Sequence, residues 1–217
     1  MSHANDTFME YKSRKVLFVY DLSDSQLMQE YFPSAGVSIS IGNEFSILGN
    51  SFQNKKKTSI EETTFKIGLS IEGLAHAQMW KLHNWWYDTL KLTDATSYVW
   101  IPSFRENYQV SSVAGDNITL TLVDNHNAKW YTSEYRRHVA IWAGGISTGQ
   151  PVFREIVSAT STQIVLDSAV TSMGTSTYIM DLYHCKFYTD VFRWRLHNRK
   201  FLGVDLEFLE DMVNTPT

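Results

Sequence analysis

A chain of 217 residues with 43% hydrophobic content is long enough to bury a core as one large domain or two small ones. A net charge of −4, with both signs interspersed, argues against an electrostatic nucleic-acid binder, which depends on a basic face. The lone cysteine, Cys185, excludes an internal disulfide and a zinc site built mainly from thiolates, and it reads as a small buried apolar residue in a strand.

The start, MSHANDTF, is polar and does not read as a signal peptide, and no run reaches the roughly 18 apolar residues of a membrane helix. The chain is therefore expected to be made in a reducing cytoplasm and to stay there until it is assembled or released. Residues up to 15 read as an arm, in which Phe8, Met9 and Tyr11 carry surface that could pack on something. Residues 16–20 (VLFVY) read as a buried strand, and 21–26 as a turn or helix start. Residues 37–41 (VSISI) alternate strictly, Gly42-Asn43 is a turn signal, and 45–52 (FSILGNSF) resume the apolar character, which together predict a hairpin. The run Lys55, Lys56, Lys57 fits either a solvated loop tip or a loop that meets an acidic neighbouring subunit. In 64–71 (TFKIGLSI), Phe65, Ile67, Leu69 and Ile71 alternate with small or polar residues, the pattern of a half-buried strand.

The stretch 75–108 carries four of the seven tryptophans and organises the rest. Met79, Leu82, Trp86 and Leu90 recur at helical steps, Trp85 widens that stripe and Trp80 falls to one side of it. Residues 98–101 (YVWI) are β-branched and aromatic and stop at Pro102, so they predict a strand ending in a turn. Such aromatic density could form a recognition surface, but the pattern favours a helix lying over a sheet, with Trp100-Ile101-Pro102 marking where the chain leaves that sheet. Beyond it, 108–122 reads as strand, Gly-Asp-Asn turn, strand, and 153–166 repeats the scheme, like a weak duplication of one hairpin. His138, Val139, Ala140, Ile141 and Trp142 read as a further strand.

Strand character returns in 178–188, 191–196 and 203–209, and these segments are expected to rejoin the sheet of the N-terminal half. The resulting expectation is a mainly β, β-rich α+β fold. Residues 1–106 and 177–217 form a β-sandwich with one packed helix, and 107–176 form an inserted small β-barrel or sandwich.

Chemistry is sparse. The common nucleotide-binding loops and the HExxH metalloprotease motif are absent. Gly145-Ile146-Ser147-Thr148-Gly149 fits GxSxG, but a hydrolase elbow needs a helix immediately after it, and Pro151 leads instead into β-branched sequence. His76 and His83, seven apart, share a helical face that could bridge a metal or serve as interface or cap histidines. His184 and Cys185 point to opposite faces of a strand and cannot chelate one ion. The carboxylates Asp181, Asp190, Asp205, Glu207 and Glu210 lie on or near strands, where a glycosidase could draw an acid and a base, or where they could be solvated or ion-paired. Arg193 and Arg195 share one face, with Trp194 on the other, and are expected to pair with carboxylates across strands or on another subunit.

From residue 64 the chain reads TFKIGLSIEGLAHAQMWKLHNWWYDTL, then SYVWIPSFREN, then VSSVAGDNITLTL. This succession of strand, aromatic helix, aromatic strand ending in proline, arginine-bearing loop and inserted β module resembles the distal tail proteins of long-tailed bacteriophages and gene transfer agents. The segments REIVSATSTQIVLDSAV and YIMDLYHCKFYTDVFRWRL look like that family's second module hairpin and returning strands, so the resemblance covers roughly 64–209. The lysine run and the tryptophan-dense helix depart from the family pattern.

The resemblance implies a structural virion protein, made in the host cytoplasm and located in the virion tail. It would be one subunit of a ring, usually a homohexamer, with the tail tube protein above and the tail hub or tip below. The tape measure protein is a further candidate neighbour. No cofactor, metal or catalytic residue is implied. The candidates for subunit contacts are Lys55, Lys56, Lys57, His76, His83, Trp85, Trp86, Arg193 and Arg195. Two other classes fit parts of the pattern. A carbohydrate-binding or glycan-cleaving β-sandwich would stack sugars on Trp130, Tyr131 and Trp142, with Phe153 beside them. A tail tube or tube-terminator subunit would share the strand-helix-strand core, but it needs little beyond the ring fold.

Overall fold

The computed structural model describes residues 9–17, 37–48, 56–90, 98–104, 106–123, 137–145, 150–188 and 191–211, with the backbone alone for 37–48 and 56–65. These residues form a mainly β chain with one helix. In chain order the first elements are β1 (Glu10–Tyr11), β2 (Arg14–Lys15), β3 (Val37–Leu48), β4 (Lys56–Leu74), helix α1 (His76–Leu90) and β5 (Tyr98–Pro102). Then come β6 (Tyr108–Val113), β7 (Thr119–Leu122), β8 (His138–Trp142), β9 (Val152–Ala159) and β10 (Gln163–Leu166). The last three are β11 (Tyr178–Phe187), β12 (Arg193–Leu196) and β13 (Leu202–Glu210). No helix among them is long and apolar enough to cross a membrane.

β11 organises the molecule because its two halves serve different layers. Residues 182–186 pair antiparallel with β5, and 185–187 pair with the end of β13, which continues through β4 to β3. Residues 178–181 pair with β6 and β8, and the order β11-β6-β7-β10-β9-β8 returns to β11, closing a six-stranded barrel. The chain passes from sheet to barrel along that one strand. After Pro102, the Ser103 N–H donates to the Asp181 carbonyl and the Asn107 N–H to the Ile179 carbonyl, until β6 takes over. The two hairpins with duplicated texture, β6-β7 and β9-β10, lie side by side through β7 and β10. The first barrel strand begins at Tyr108, and the barrel takes its sixth strand from β11, at residues 178–187.

The helix covers the apolar face of the sheet. Ile67, Leu69 and Ile71 of β4 and Val204, Leu206 and Phe208 of β13 are buried against Met79, Leu82 and Trp85 of α1, as their alternation with polar residues requires. Gly73, at φ +77°, makes the turn from strand to helix in a region that suits glycine. The Ala75 N–H, at the cap position, then donates to the Gln78 side chain at 2.7 Å, half of a capping box. The buried stripe runs Met79, Leu82, Trp85, Thr89, one step away from the one the periodicity suggests. Trp85 is fully buried, Trp86 and Leu90 are peripheral, and Thr89 tolerates the buried face because its hydroxyl donates to the Trp85 carbonyl. Burial of a side chain the size of Trp85 removes roughly 150–250 Å² from water, about 4–6 kcal/mol of gross stabilisation.

Three sequence expectations change. Gly42-Asn43 is not a turn: β3 runs straight through it, and the pairing slips there, between Asn43 and Phe45, so the pair marks a bulge. Lys56 and Lys57 are not loop residues but pair with Leu48 and Ile47 at the start of β4, while Lys55 lies outside the described residues. The N-terminal arm is a hairpin, β1-β2, turned by Lys12 and Ser13 at positive φ and packed on the rest through Met9 and Val16. Of the strand expected at 16–20, only residues 16 and 17 are described, Val16 forming a parallel bridge to Trp100.

Candidate interaction surface

On α1, several of the residues that turn away from the sheet are aromatic. Trp80 and Tyr87 are exposed, and His83 stands between them, edge-on to Trp80 at 5.3 Å and stacked with Tyr87 at 6.2 Å. Phe192 closes the cluster against His83 at 5.2 Å and Trp86 at 5.4 Å. The Nδ1 atom of His83 is enclosed and has no hydrogen-bond partner among the described residues. Next to the helix runs β12, which pairs with the first half of β13. Strand alternation sets Trp194 and Leu196 on the helix side, where both are more than half exposed. Trp194 lines a groove of about 180 Å³ together with His76, Met79, Trp80, His83 and Leu202.

The other face of β12 is ionic. The Arg195 guanidinium donates to Glu72 on β4 at 2.6 Å, to Asp205 on β13 at 3.0 Å and to the Ser70 hydroxyl at 3.2 Å. His197 also contacts the Glu72 carboxylate. Gly203 makes this crossing possible, because a Cβ there would collide with the Glu72 carboxylate and the His197 ring. The expected cross-strand pairing of Arg195 thus spans three strands. Arg193 is exposed.

A second polar cluster sits where the barrel meets the sheet. The Tyr11 hydroxyl bonds His138 Nδ1 at 3.0 Å, and the Tyr11 ring packs on Trp100 and Phe153. Trp100 Nε1 donates to the Tyr11 carbonyl, while Lys12 and Arg137 both pair with Glu155 at 2.7 and 3.0 Å. Burial, reinforced by the Lys12 charge, pulls the His138 pKa down to about 4. Burial also brings His184 to about 4, against the opposing hydrogen bond to the Asp211 carbonyl. Burial pushes the Tyr11 phenol above its ordinary value, and the Asp167 and Glu155 charges add to this. Burial works against ionisation of Glu155, but the hydrogen bond and charge of Lys12 hold its carboxyl below the ordinary range. Both histidines are therefore neutral packing groups, and the Tyr11 hydroxyl is un-ionised.

The other sequence candidates fall as follows. Trp85 is core, not interface, because it occupies the centre of the buried stripe. Trp142, a candidate for sugar stacking, is 1% exposed and packs with Trp100, Met180 and Leu182, so it presents no face to a ligand. Trp130, Tyr131, Ser147 and Asp190 lie outside the described residues. Immediately after the GxSxG stretch comes β9, not the helix an elbow needs. Asp205 and Glu207 are held in ion pairs with Arg195 and Lys66, and Asp181 and Glu210 are buried. Among the described residues no group of three or more His, Cys, Asp or Glu is arranged to hold a metal, so His76 and His83 have no third ligand there. His184 and Cys185 face opposite layers, His184 against Tyr98 and Trp100, Cys185 in the helix-side core.

Sequence reasoning named Trp194 only as the residue opposite two arginines, and it did not single out Leu196 or Phe201. The available signal was the order RWRLHNRKF, in which apolar residues flank a basic turn. Tyr11 and His138 are 127 residues apart, and no local pattern joins them. A comparison with models of known protein families and a search of curated proteins found no match.

Proposed function

We propose that the chain is a structural virion protein, a distal tail ring subunit that joins the tail tube to the tail tip or hub of a long-tailed phage-like particle as a homohexamer. The observation that supports this reading is the ribbon formed by β3 and β4. The pairing of β13 with β4 ends at Lys66, yet β4 runs back through residues 56–65, where its one partner among the described residues is β3. At about 3.3 Å per residue this is roughly 30 Å of two-stranded ribbon beyond the sheet. Two strands alone are marginal in water, and their open edges invite a further chain. A head-to-tail contact between identical copies covers such edges and closes into a ring. In this reading Lys56 and Lys57, at the far end of the ribbon, would meet the neighbouring subunit together with Lys55. Tube protein and hub would bind the two faces of the ring, with the tape measure protein passing nearby, and the barrel would point outward. The subunit carries out no reaction.

The test is to shorten the ribbon by joining Ile41 to Phe65, which pair across it, through an Asn-Gly turn suited to a two-residue hairpin. The expected product keeps its β circular dichroism and melts cooperatively but no longer forms the hexamer. A shortened chain with unchanged assembly would remove the ribbon as support for the reading.

A further inference from the structure

The surface between α1 and β12 is adhesive in a way that ring closure through the ribbon does not use. Trp80 and Trp194 are 53% and 54% exposed, and Leu196 and Phe201 add 61% and 45%. Solitary exposed apolar residues are ordinary, but Trp80 and Trp194 line one groove, and large apolar side chains exposed side by side mark a contact site. The groove between the two tryptophans, about 180 Å³, is smaller than the roughly 300–1,000 Å³ of small-molecule sites and is walled by apolar surface, so it fits one apolar side chain.

Charge selects the occupant. Arg199 and Lys200 occupy the turn between β12 and β13, folded back by Asn198, whose side chain accepts the Lys200 and Phe201 N–H groups. Both cations are exposed and make no ion pair among the described residues. The carboxylates Glu72 and Asp205 are already engaged by Arg195. On a chain of net charge −4 this is a basic tip beside an apolar groove. A two-fold contact with a second copy would set that basic tip against itself. Nucleic acid is disfavoured because the groove admits one side chain and not a run of stacked bases.

We propose that this surface docks an acidic segment of a different protein, one apolar side chain entering between Trp80 and Trp194 while flanking carboxylates meet Arg199 and Lys200. The proposal does not depend on the ring reading, since it concerns a different face from the ribbon.

The full-length chain is titrated against a labelled peptide alternating glutamate with leucine and a matched peptide alternating lysine with leucine, with fluorescence anisotropy as the readout. The glutamate peptide should bind and weaken with salt, and the lysine peptide should not bind. Trp194→Ala should weaken binding about tenfold or more, the scale of one anchor residue. Reversing the exposed turn with Arg199→Glu and Lys200→Glu should weaken the glutamate peptide and admit the lysine peptide. Circular dichroism should show both variants folded. Four results would overturn the proposal: neither peptide binding, both binding equally, an oligothymidylate binding instead, or a dimer of the chain that Trp194→Ala dissolves.

Discussion

Acidification perturbs the barrel-sheet junction through two histidines held neutral by burial. His138 and His184 are 2% and 3% exposed and titrate at about 4 in the folded chain, whereas an unfolded histidine titrates near 6.5. Between those values the unfolded chain binds protons that the folded chain refuses, so the stabilisation is complete above about pH 6.5 and falls as pH drops toward 4. At about pH 5 each histidine favours the unfolded state by about 2 kcal/mol relative to pH 8, and the pair by about 4 kcal/mol. That is a large part of the roughly 5–15 kcal/mol by which domains are stable. Urea unfolding midpoints measured from about pH 8 to about pH 5 should fall steadily, with the slope reduced in His138→Gln and again in the double variant with His184→Gln. The carboxyls of Glu155 and Asp116, held below their ordinary range, add a separate loss at still lower pH. Midpoints that stay flat down to about pH 5, or slopes that both variants leave unchanged, would refute the picture of two neutral buried imidazoles.

Two substitutions test the packing. Trp85→Ala empties the centre of the helix-sheet core and should cost about 3–5 kcal/mol, whereas Trp80→Ala on the exposed face should stay within about 0.5 kcal/mol, both by chemical denaturation. Similar costs at the two positions would misplace the buried stripe. Tyr11→Phe leaves His138 Nδ1 without its partner in a dry site and should cost about 1–3 kcal/mol, with the N-terminal hairpin exchanging its amide hydrogens faster; unchanged exchange would mean the hydroxyl does not fasten that hairpin.

Elements whose signal is local were legible in the sequence. The alternation of Ile67, Leu69 and Ile71, and of Val204, Leu206 and Phe208, specified both strands and their buried faces. The aromatic helix and the exit at Pro102 were also readable, because periodicity and proline act within a few residues. The stripe was misplaced by a step since Thr89 reads as polar, and only its bond back to the Trp85 carbonyl makes it a core residue. Gly42-Asn43 carries the chemistry of a turn, and only the pairing with β4 reveals a bulge. That β11 supplies the barrel's sixth strand was hidden, because nothing local in it states that one half belongs to another layer. The junction of Tyr11, Trp100, His138 and His184 depends entirely on long-range contact. The candidate surface was half visible: the arginines of β12 stood out as charges, with Trp194 only as the residue opposite them, and nothing singled out Leu196.

The central claim, a ring subunit, is tested most directly by the mass of the purified full-length chain across a concentration series, followed by imaging of its heaviest species. The account predicts a closed assembly of six copies with a central opening. A chain that remains strictly monomeric at every concentration, with no ring in the images, would contradict it.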